Sequence, residues 1–276
     1  MTIAEQSLSE PDFITVDSGG RRLAYSVTGS GTPTVVLEAG LGGTIAHWRR
    51  LPSDLAPLVR VVSYDRAGLG ASDPGPMPRT SQNMVADLHA LLHSVSIPGP
   101  YILVGHSLGG LNIRLYTARY PDEVLGLALI DPTPPTFQER QLAALPPETS
   151  DESAMIARWR AYLTRDYFTP GTNVEQVDLA ACCRQVAATG SLGDRPLILV
   201  NGGRGAAWTP DVPTDVIARL EAVRRDLRRE VLQLSSNSRH VIAGGSGHYV
   251  QHDRPDIVLA AIRQVIHAIA TGARLN

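Results

Sequence analysis

Gly105-His106-Ser107-Leu108-Gly109, with Gly110 behind it, is the stretch that decides how the chain is read. The apolar run Tyr101-Ile102-Leu103-Val104 precedes it, and a helical pattern from Leu111 to Tyr120 follows. A Gly-x-Ser-x-Gly between a buried strand and a helix is the pattern of a nucleophile elbow. The spacing has a steric reason. Serine at the apex of a sharp turn needs small neighbours two residues away, so that strand and helix can approach each other. Such a turn lifts the Ser107 Oγ above the end of a sheet. It also aims the Leu108 N–H and the helix N-terminus at the same point. The alternative, an ordinary strand-to-helix turn that contains a serine, does not account for both flanks.

Working outward, buried-type strands alternate with helical patterns. Toward the N-terminus lie the strands Arg60–Asp65 and Thr34–Glu38, with a helical pattern over Ile45–Leu58 between them. A helix carrying Met84, Leu88, Leu91 and Leu92 follows, with Ser81 as its candidate cap. Phe13–Val16, a turn at Asp17–Gly20 and Leu23–Val27 form an antiparallel entry to the sheet, behind a loose terminus at residues 1–12. Toward the C-terminus come strands at Val124–Ile130, Pro196–Val200 and Arg239–Ala243. A charged helix spans Asp215–Leu234, and a closing helix runs from about Arg254 to Ala270. The strands lack period-two polarity. They predict an α/β fold: a mostly parallel central sheet with helices on both faces.

One stretch breaks the alternation. Residues 132–195 separate two strands by far more than a normal crossover. Within it Ile156, Trp159, Tyr162 and Leu163 lie close to one helical face, followed by Tyr167 and Phe168. A helical cap over the serine is expected here, with Trp159 and Tyr162 lining a substrate pocket. The division is then a core domain of residues 1–131 and 196–276 and a cap of residues 132–195.

Composition bounds the function classes. The chain has 276 residues, 43% hydrophobic and 19% charged, enough to bury a sizeable core. The net charge of −2 gives no argument for a nucleic-acid or membrane partner. A small-molecule substrate is the expected partner, and oligomeric state is not readable. The polar, acidic start lacks a signal-peptide pattern, so a cytoplasmic location is expected. The two cysteines, Cys182 and Cys183, are adjacent. That spacing suits neither a disulfide nor a zinc site, and no cofactor or metal is expected.

A serine nucleophile needs a base, a group to orient the base, and oxyanion donors. The base is expected shortly after the last strand, where Ser246-Gly247-His248 supplies His248. His252 competes, but it lies just before the closing helix. His106 adjoins the serine, yet neighbouring side chains at a sharp turn point apart. For the acid, Asp131 lies directly at the end of the strand that follows the elbow helix, where ligand-facing groups of a parallel sheet collect. Asp211 is the alternative, in a turn beyond Pro196–Val200, with Asp194 more remote. A strand-end carboxylate is the better fixed, which favours Asp131. The oxyanion donors are expected to be the Leu108 N–H and the Leu41 N–H, the latter on the glycine-rich loop Ala39-Gly40-Leu41-Gly42-Gly43. No lysine follows that loop in a phosphate-binding pattern.

On these residues the chain resembles the α/β-hydrolases. The matching pieces are Glu38–Gly43, Tyr64-Asp65-Arg66-Ala67-Gly68-Leu69-Gly70-Ala71-Ser72, Gly105–Gly110 and Gly247-His248, and serine precedes histidine. Within that superfamily it is similar to capped esterases, proline iminopeptidases and cofactor-free haloperoxidases. The resemblance implies a Ser–Asp–His triad, an acyl-serine intermediate and a mostly structural Asp65-Arg66 loop. Two departures stand out. Ala39-Gly40 replaces the His-Gly found in many members. Asn201-Gly202-Gly203-Arg204 carries no acid where many members have one, which fits the family's minority placement at Asp131. The reading is a serine hydrolase of a small, fairly apolar ester or lactone. Peptidase and C–C-bond hydrolase activity stay open, as does a ligand sensor that keeps a slow triad. Epoxide hydrolases and dehalogenases of this fold use aspartate as nucleophile, which Ser107 disfavours.

Overall fold

The computed structural model describes residues 12–17, 20–204 and 211–275. The expected loose terminus, up to residue 11, lies outside the described residues, as do Ser18 and Gly19 of the first turn. The chain runs β1 (Asp12–Thr15), β2 (Arg22–Thr28), β3 (Thr34–Glu38), α1 (Leu51–Leu55), β4 (Arg60–Tyr64), α2 (Ser81–Ser94), β5 (Tyr101–His106), α3 (Leu108–Arg119) and β6 (Val124–Ile130). After β6 come α4 (Phe137–Ala144), α5 (Ala154–Ala161) and α6 (Leu179–Ala187). The chain then completes β7 (Leu197–Gly202), α7 (Thr214–Leu232), β8 (Ser238–Ala243), α8 (Val250–Asp253) and α9 (Pro255–Thr271).

The strands form one 8-stranded sheet in the order β1-β2-β4-β3-β5-β6-β7-β8. β1 and β2 are antiparallel, and every pairing from β4 to β8 is parallel. The missing period-two polarity now has its cause: both faces of the sheet are covered. Val36, Leu103, Leu127 and Leu199 point to one face and pack with α2, α3 and α6. Their neighbours Val35, Leu37, Ile102, Val104 and Ile198 point to the other, under Trp48, α1 and α9. Each such side chain contributes about 1.5–3 kcal/mol on burial, so the central strands are the rigid part of the frame.

Two local expectations need correction. The helix over 45–58 is a short 3₁₀ turn, Ile45–Trp48, followed by α1. Arg49 turns to φ 48° between them, and Pro52 fits only the first turn of a helix. Thr80, not Ser81, caps α2, in a capping box with Asn83. The Ser81 hydroxyl instead donates to Asn112 Oδ1 at 2.7 Å. His252, the competing base, donates from Nε2 to the His47 carbonyl at 2.8 Å. Cys182 and Cys183 sit on α6, free and buried, and burial raises both thiol pKa values.

Because β3, β5, β6, β7 and β8 are parallel, their carboxyl ends gather on one edge of the sheet. That edge presents the 39–43 loop, Ser107, Asp131, Asn201 and the 244–249 loop. The segment from Pro132 to Arg195 leaves the sheet there.

Candidate active site

Ser107 closes β5 and opens α3 with φ 52° and ψ −116°. This is a backbone region that non-glycine residues avoid, at a cost of about 1–3 kcal/mol. The surrounding chain fixes it. Ser107 N–H donates to the Ile130 carbonyl at 3.2 Å, and its own carbonyl accepts from Gly110 at 3.0 Å and Thr133 at 3.2 Å. The turn also requires glycine: a Cβ on Gly109 would lie 2.1 Å from the Glu38 carbonyl oxygen.

His248 meets Asp131, with Nδ1 2.7 Å from Oδ2. Asp131 is held in turn. Its N–H donates to the Val200 carbonyl at 2.7 Å, and Oδ1 accepts from Asn201 Nδ2 at 2.9 Å and from Gly202 N–H at 3.3 Å. Burial alone would raise the Asp131 pKa. The hydrogen bond and charge of His248, with the donors from Asn201 and Gly202, outweigh it and hold the carboxyl below its ordinary value. Asp211 is exposed and is not the partner of His248. Pro210, on its N-terminal side, lies outside the described residues.

Asn201, near the end of β7, has no sequence signal beyond lying in a stretch without an acid, and here it braces Asp131 on the neighbouring strand. Its Oδ1 accepts from His240 Nε2 at 3.0 Å, which orients the amide so that Nδ2 faces Asp131.

His106 packs behind the elbow. It is 1% exposed and donates from Nε2 to the His248 carbonyl at 2.9 Å. Its Nδ1 lies 3.2 Å from His47 Nε2. Burial drives the His106 pKa well below 6.5 and lowers that of His47 to about 4. Both rings are therefore neutral around pH 7, and His106 acts as a fixed donor that anchors the loop bearing His248.

The 39–43 loop is held from below. Gly40 is forced by close approach, since a Cβ there would lie 2.6 Å from His106 Nδ1 and 3.2 Å from Ser107 Cβ. The loop thus abuts the elbow. Arg66 donates to the carbonyls of Ala39 and Gly40, each at 2.6 Å. It also pairs with Glu38 at 3.1 Å and with Glu175 at 2.6 Å. Glu175 accepts in addition from the Gly42 N–H. Burial opposes the charge of Arg66, but Glu175 and Glu38 outweigh it and raise its pKa. Glu175 lies within the 132–195 stretch, and no sequence signal marks it. The network ties that stretch to the loop. Neither the Leu41 nor the Leu108 amide has a hydrogen-bond partner among the described residues.

Above the serine, Thr133 Oγ1 lies 3.4 Å from Ser107 Oγ. Tyr167 is half-buried, and burial raises its hydroxyl pKa. Among the described residues Ser107 Oγ contacts the Thr133 hydroxyl rather than His248. Catalytic hydrogen bonds of this type commonly tighten only when substrate binds. Ser107, Asp131 and His248 all open on one cavity of about 540 Å³. Trp159 and Tyr162 line its wall, with their rings stacked at 5.1 Å.

The one cluster among the described residues with metal-ligand character is His89, His93 and Glu123. It lies at the opposite end of the sheet, at the start of β6, with each histidine Nε2 3.1–3.2 Å from Glu123 Oε1. It does not bear on the cavity. No helix among the described residues is long and apolar enough to cross a membrane.

The family model for the alpha/beta hydrolase fold matches residues 33–188, more than half of the chain. The chain belongs to the alpha/beta hydrolase family. An AB hydrolase superfamily protein of Gibberella zeae is 26% identical over 280 residues, covering 86% of this chain and 87% of that one. A 2-(acetamidomethylene)succinate hydrolase of Mesorhizobium japonicum is 29% identical over 270 residues, covering 92% and 94%. Among solved structures, a thermophilic esterase from Thermogutta terrifontis superposes with a TM-score of 0.64 at 22% identity, over 95% of this chain and 100% of that one. At that identity the likeness concerns the fold, and its eight-stranded alpha/beta hydrolase sheet is the one described above.

Proposed function

We propose that this alpha/beta hydrolase is a serine hydrolase that cleaves a small carboxylic ester or lactone through an acyl-serine intermediate. The observation that carries the reading is the 2.7 Å contact of Asp131 with His248 beside the strained Ser107, all on one cavity. Asp131 fixes the tautomer in which His248 Nε2 is free to take a proton. Ser107 Oγ, released from Thr133 by an entering substrate, attacks the carbonyl carbon as His248 accepts its proton. The oxyanion is received by the Leu41 and Leu108 N–H groups. His248 then protonates the leaving alkoxide, and water hydrolyses the acyl-serine by the reverse sequence. Residues 132–195 act as the cap that dries this cavity, with Trp159 and Tyr162 against the substrate.

The peptidase reading loses support at the cavity. An aminopeptidase needs acids there to hold the substrate amine, and the acids Glu139, Glu148, Asp151 and Glu152 of residues 132–195 are absent from the described lining, where Asp131 is the acid present. A hydrolytic relative that spans 92% of this chain supports a hydrolase over a binding module. The ligand-sensor reading draws on one observation, that Ser107 Oγ is engaged by Thr133 instead of His248.

Turnover of p-nitrophenyl esters separates these readings. Ser107→Ala is expected to lose about 10⁴-fold or more of kcat with the fold intact. Near-normal turnover by that variant would overturn the assignment. Rapid fluorophosphonate labelling of the parent with negligible turnover across an ester and lactone panel would favour the sensor.

A further inference from the structure

The cavity is less neutral than an apolar ester requires. One face of α7 lines it at helical spacing, with Arg224, Leu227, Arg228 and Val231. Arg204, after β7, lines the same cavity. Three arginines thus line a space whose described lining holds one carboxylate, Asp131, and that carboxylate is committed to His248, Asn201 and Gly202.

The surrounding acids do not neutralise Arg228. Glu221 pairs with Arg224 at 2.9 Å, Asp226 with Arg229 at 3.2 Å, and Glu230 with Arg140. Arg228 itself has no ion pair among the described residues. Residues 205–210, Gly-Ala-Ala-Trp-Thr-Pro, contain no acid in their sequence. Arg224 is already placed, with its guanidinium 6.0 Å over the Trp159 ring. The His240 pKa is lowered by burial and then by the Arg228 charge, so that charge is felt at the residue bonded to Asn201. A half-buried cation with no ion pair among the described residues, in a cleft with aromatic walls, draws an anion into the cavity.

We propose that the substrate of this site bears a carboxylate in addition to the scissile ester, and that Arg228 receives it, with Arg204 and Arg224 reinforcing the field. The proposal rests on the serine-hydrolase reading for the ester, but not for the carboxylate. A planar carboxylate suits the guanidinium fork, which can bind both oxygens. The apolar residues Leu227 and Val231 line the cavity beside the charged positions, so the linking chain is a short aliphatic one.

Two esters of equal acyl length test this: p-nitrophenyl pentanoate and mono(p-nitrophenyl) glutarate. The parent is expected to favour the glutarate ester in kcat/KM by about 10-fold or more. Arg228→Gln is expected to shrink that ratio about 10–100-fold, mainly through KM on the glutarate ester. Arg225→Gln, on the exposed side of α7, leaves the ratio unchanged. Added salt lowers the parent's ratio toward one. Equal use of the two esters by the parent, with Arg228→Gln affecting both alike, overturns the proposal and leaves the serine-hydrolase reading standing. Glutarate binding, followed by calorimetry, separates the two claims. If neither ester turns over but glutarate binds and Arg228→Gln abolishes this, the carboxylate site stands and the hydrolase reading falls. If glutarate fails to bind and neither ester turns over, both fall.

Discussion

Asp131→Asn perturbs the site at one atom, and its effect follows from the hydrogen bonds around it. In the parent, Oδ1 accepts from Asn201 Nδ2 and Gly202 N–H, and Oδ2 faces His248 Nδ1 at 2.7 Å. In the variant the amide oxygen stays with the two donors, because turning it would set NH₂ against them. The NH₂ group then faces His248, and Nδ1 becomes the acceptor. The ring proton moves to Nε2, so His248 can no longer take a proton from Ser107. The negative charge that stabilised the protonated ring is lost as well. Loss of the right tautomer in such a triad costs about 10³–10⁴-fold in kcat, or about 4–5.5 kcal/mol. The assay is kcat and KM on a p-nitrophenyl ester, with circular dichroism to show that the fold persists. KM is expected to change little, since Asp131 acts through the histidine. Asp211→Asn serves as the comparison and is expected to stay within about 3-fold of the parent. A value for Asp131→Asn within tenfold of the parent, or a larger loss for Asp211→Asn, would refute the reasoning.

Three more outcomes follow from the same geometry. Glu175→Gln removes one of the two carboxylates on buried Arg66 and loosens Gly42. It should lower stability by about 2–4 kcal/mol in urea titrations and kcat about 10-fold, and parent-like values in both would count against the network. Thr133→Val frees Ser107 of the hydroxyl contact at 3.4 Å, worth about 1 kcal/mol, so fluorophosphonate labelling should speed up about 5-fold, whereas slower labelling would show that Thr133 assists the serine. His47 is held at about 4 in the folded protein, below its ordinary 6.5, so the unfolded chain binds more protons between these values. Stability is therefore full above pH 6.5 and falls as pH drops toward 4, by about 1–2 kcal/mol once partial solvation of the ring is allowed for. His47→Gln should flatten that slope in urea midpoints measured at pH 7 and pH 4.5, and an unchanged slope would contradict it.

The elbow is legible in sequence because its constraint is local: a strained serine admits only small residues at 105 and 109, and strand and helix patterns flank it. His248 is legible because the end of the last strand and a run of small residues narrow the choice. Asp131 is legible as the favoured acid because a strand-end carboxylate is fixed by its own backbone. Asn201 and Glu175 are not legible in the same way. Asn201 acts through a hydrogen bond across β6 and β7, and Glu175 reaches Arg66 over 109 positions of chain. No periodicity encodes such contacts. The arginines of α7 are visible in sequence as surface charge, and only the placement of α7 beside the cavity gives Arg224 and Arg228 an inward face. The helix expected over 45–58 fails for the opposite reason. Its apolar spacing is helical, but Pro52 and the turned Arg49 backbone divide it.

The central claim is that Ser107 is the nucleophile and His248 its base. Peptide mapping by mass spectrometry after brief exposure to a fluorophosphonate tests it most directly. The account predicts one adduct on Ser107, none in Ser107→Ala, and formation slowed about 10³-fold or more in His248→Ala. An adduct on another residue, or labelling of Ser107→Ala at the parent rate, would contradict it.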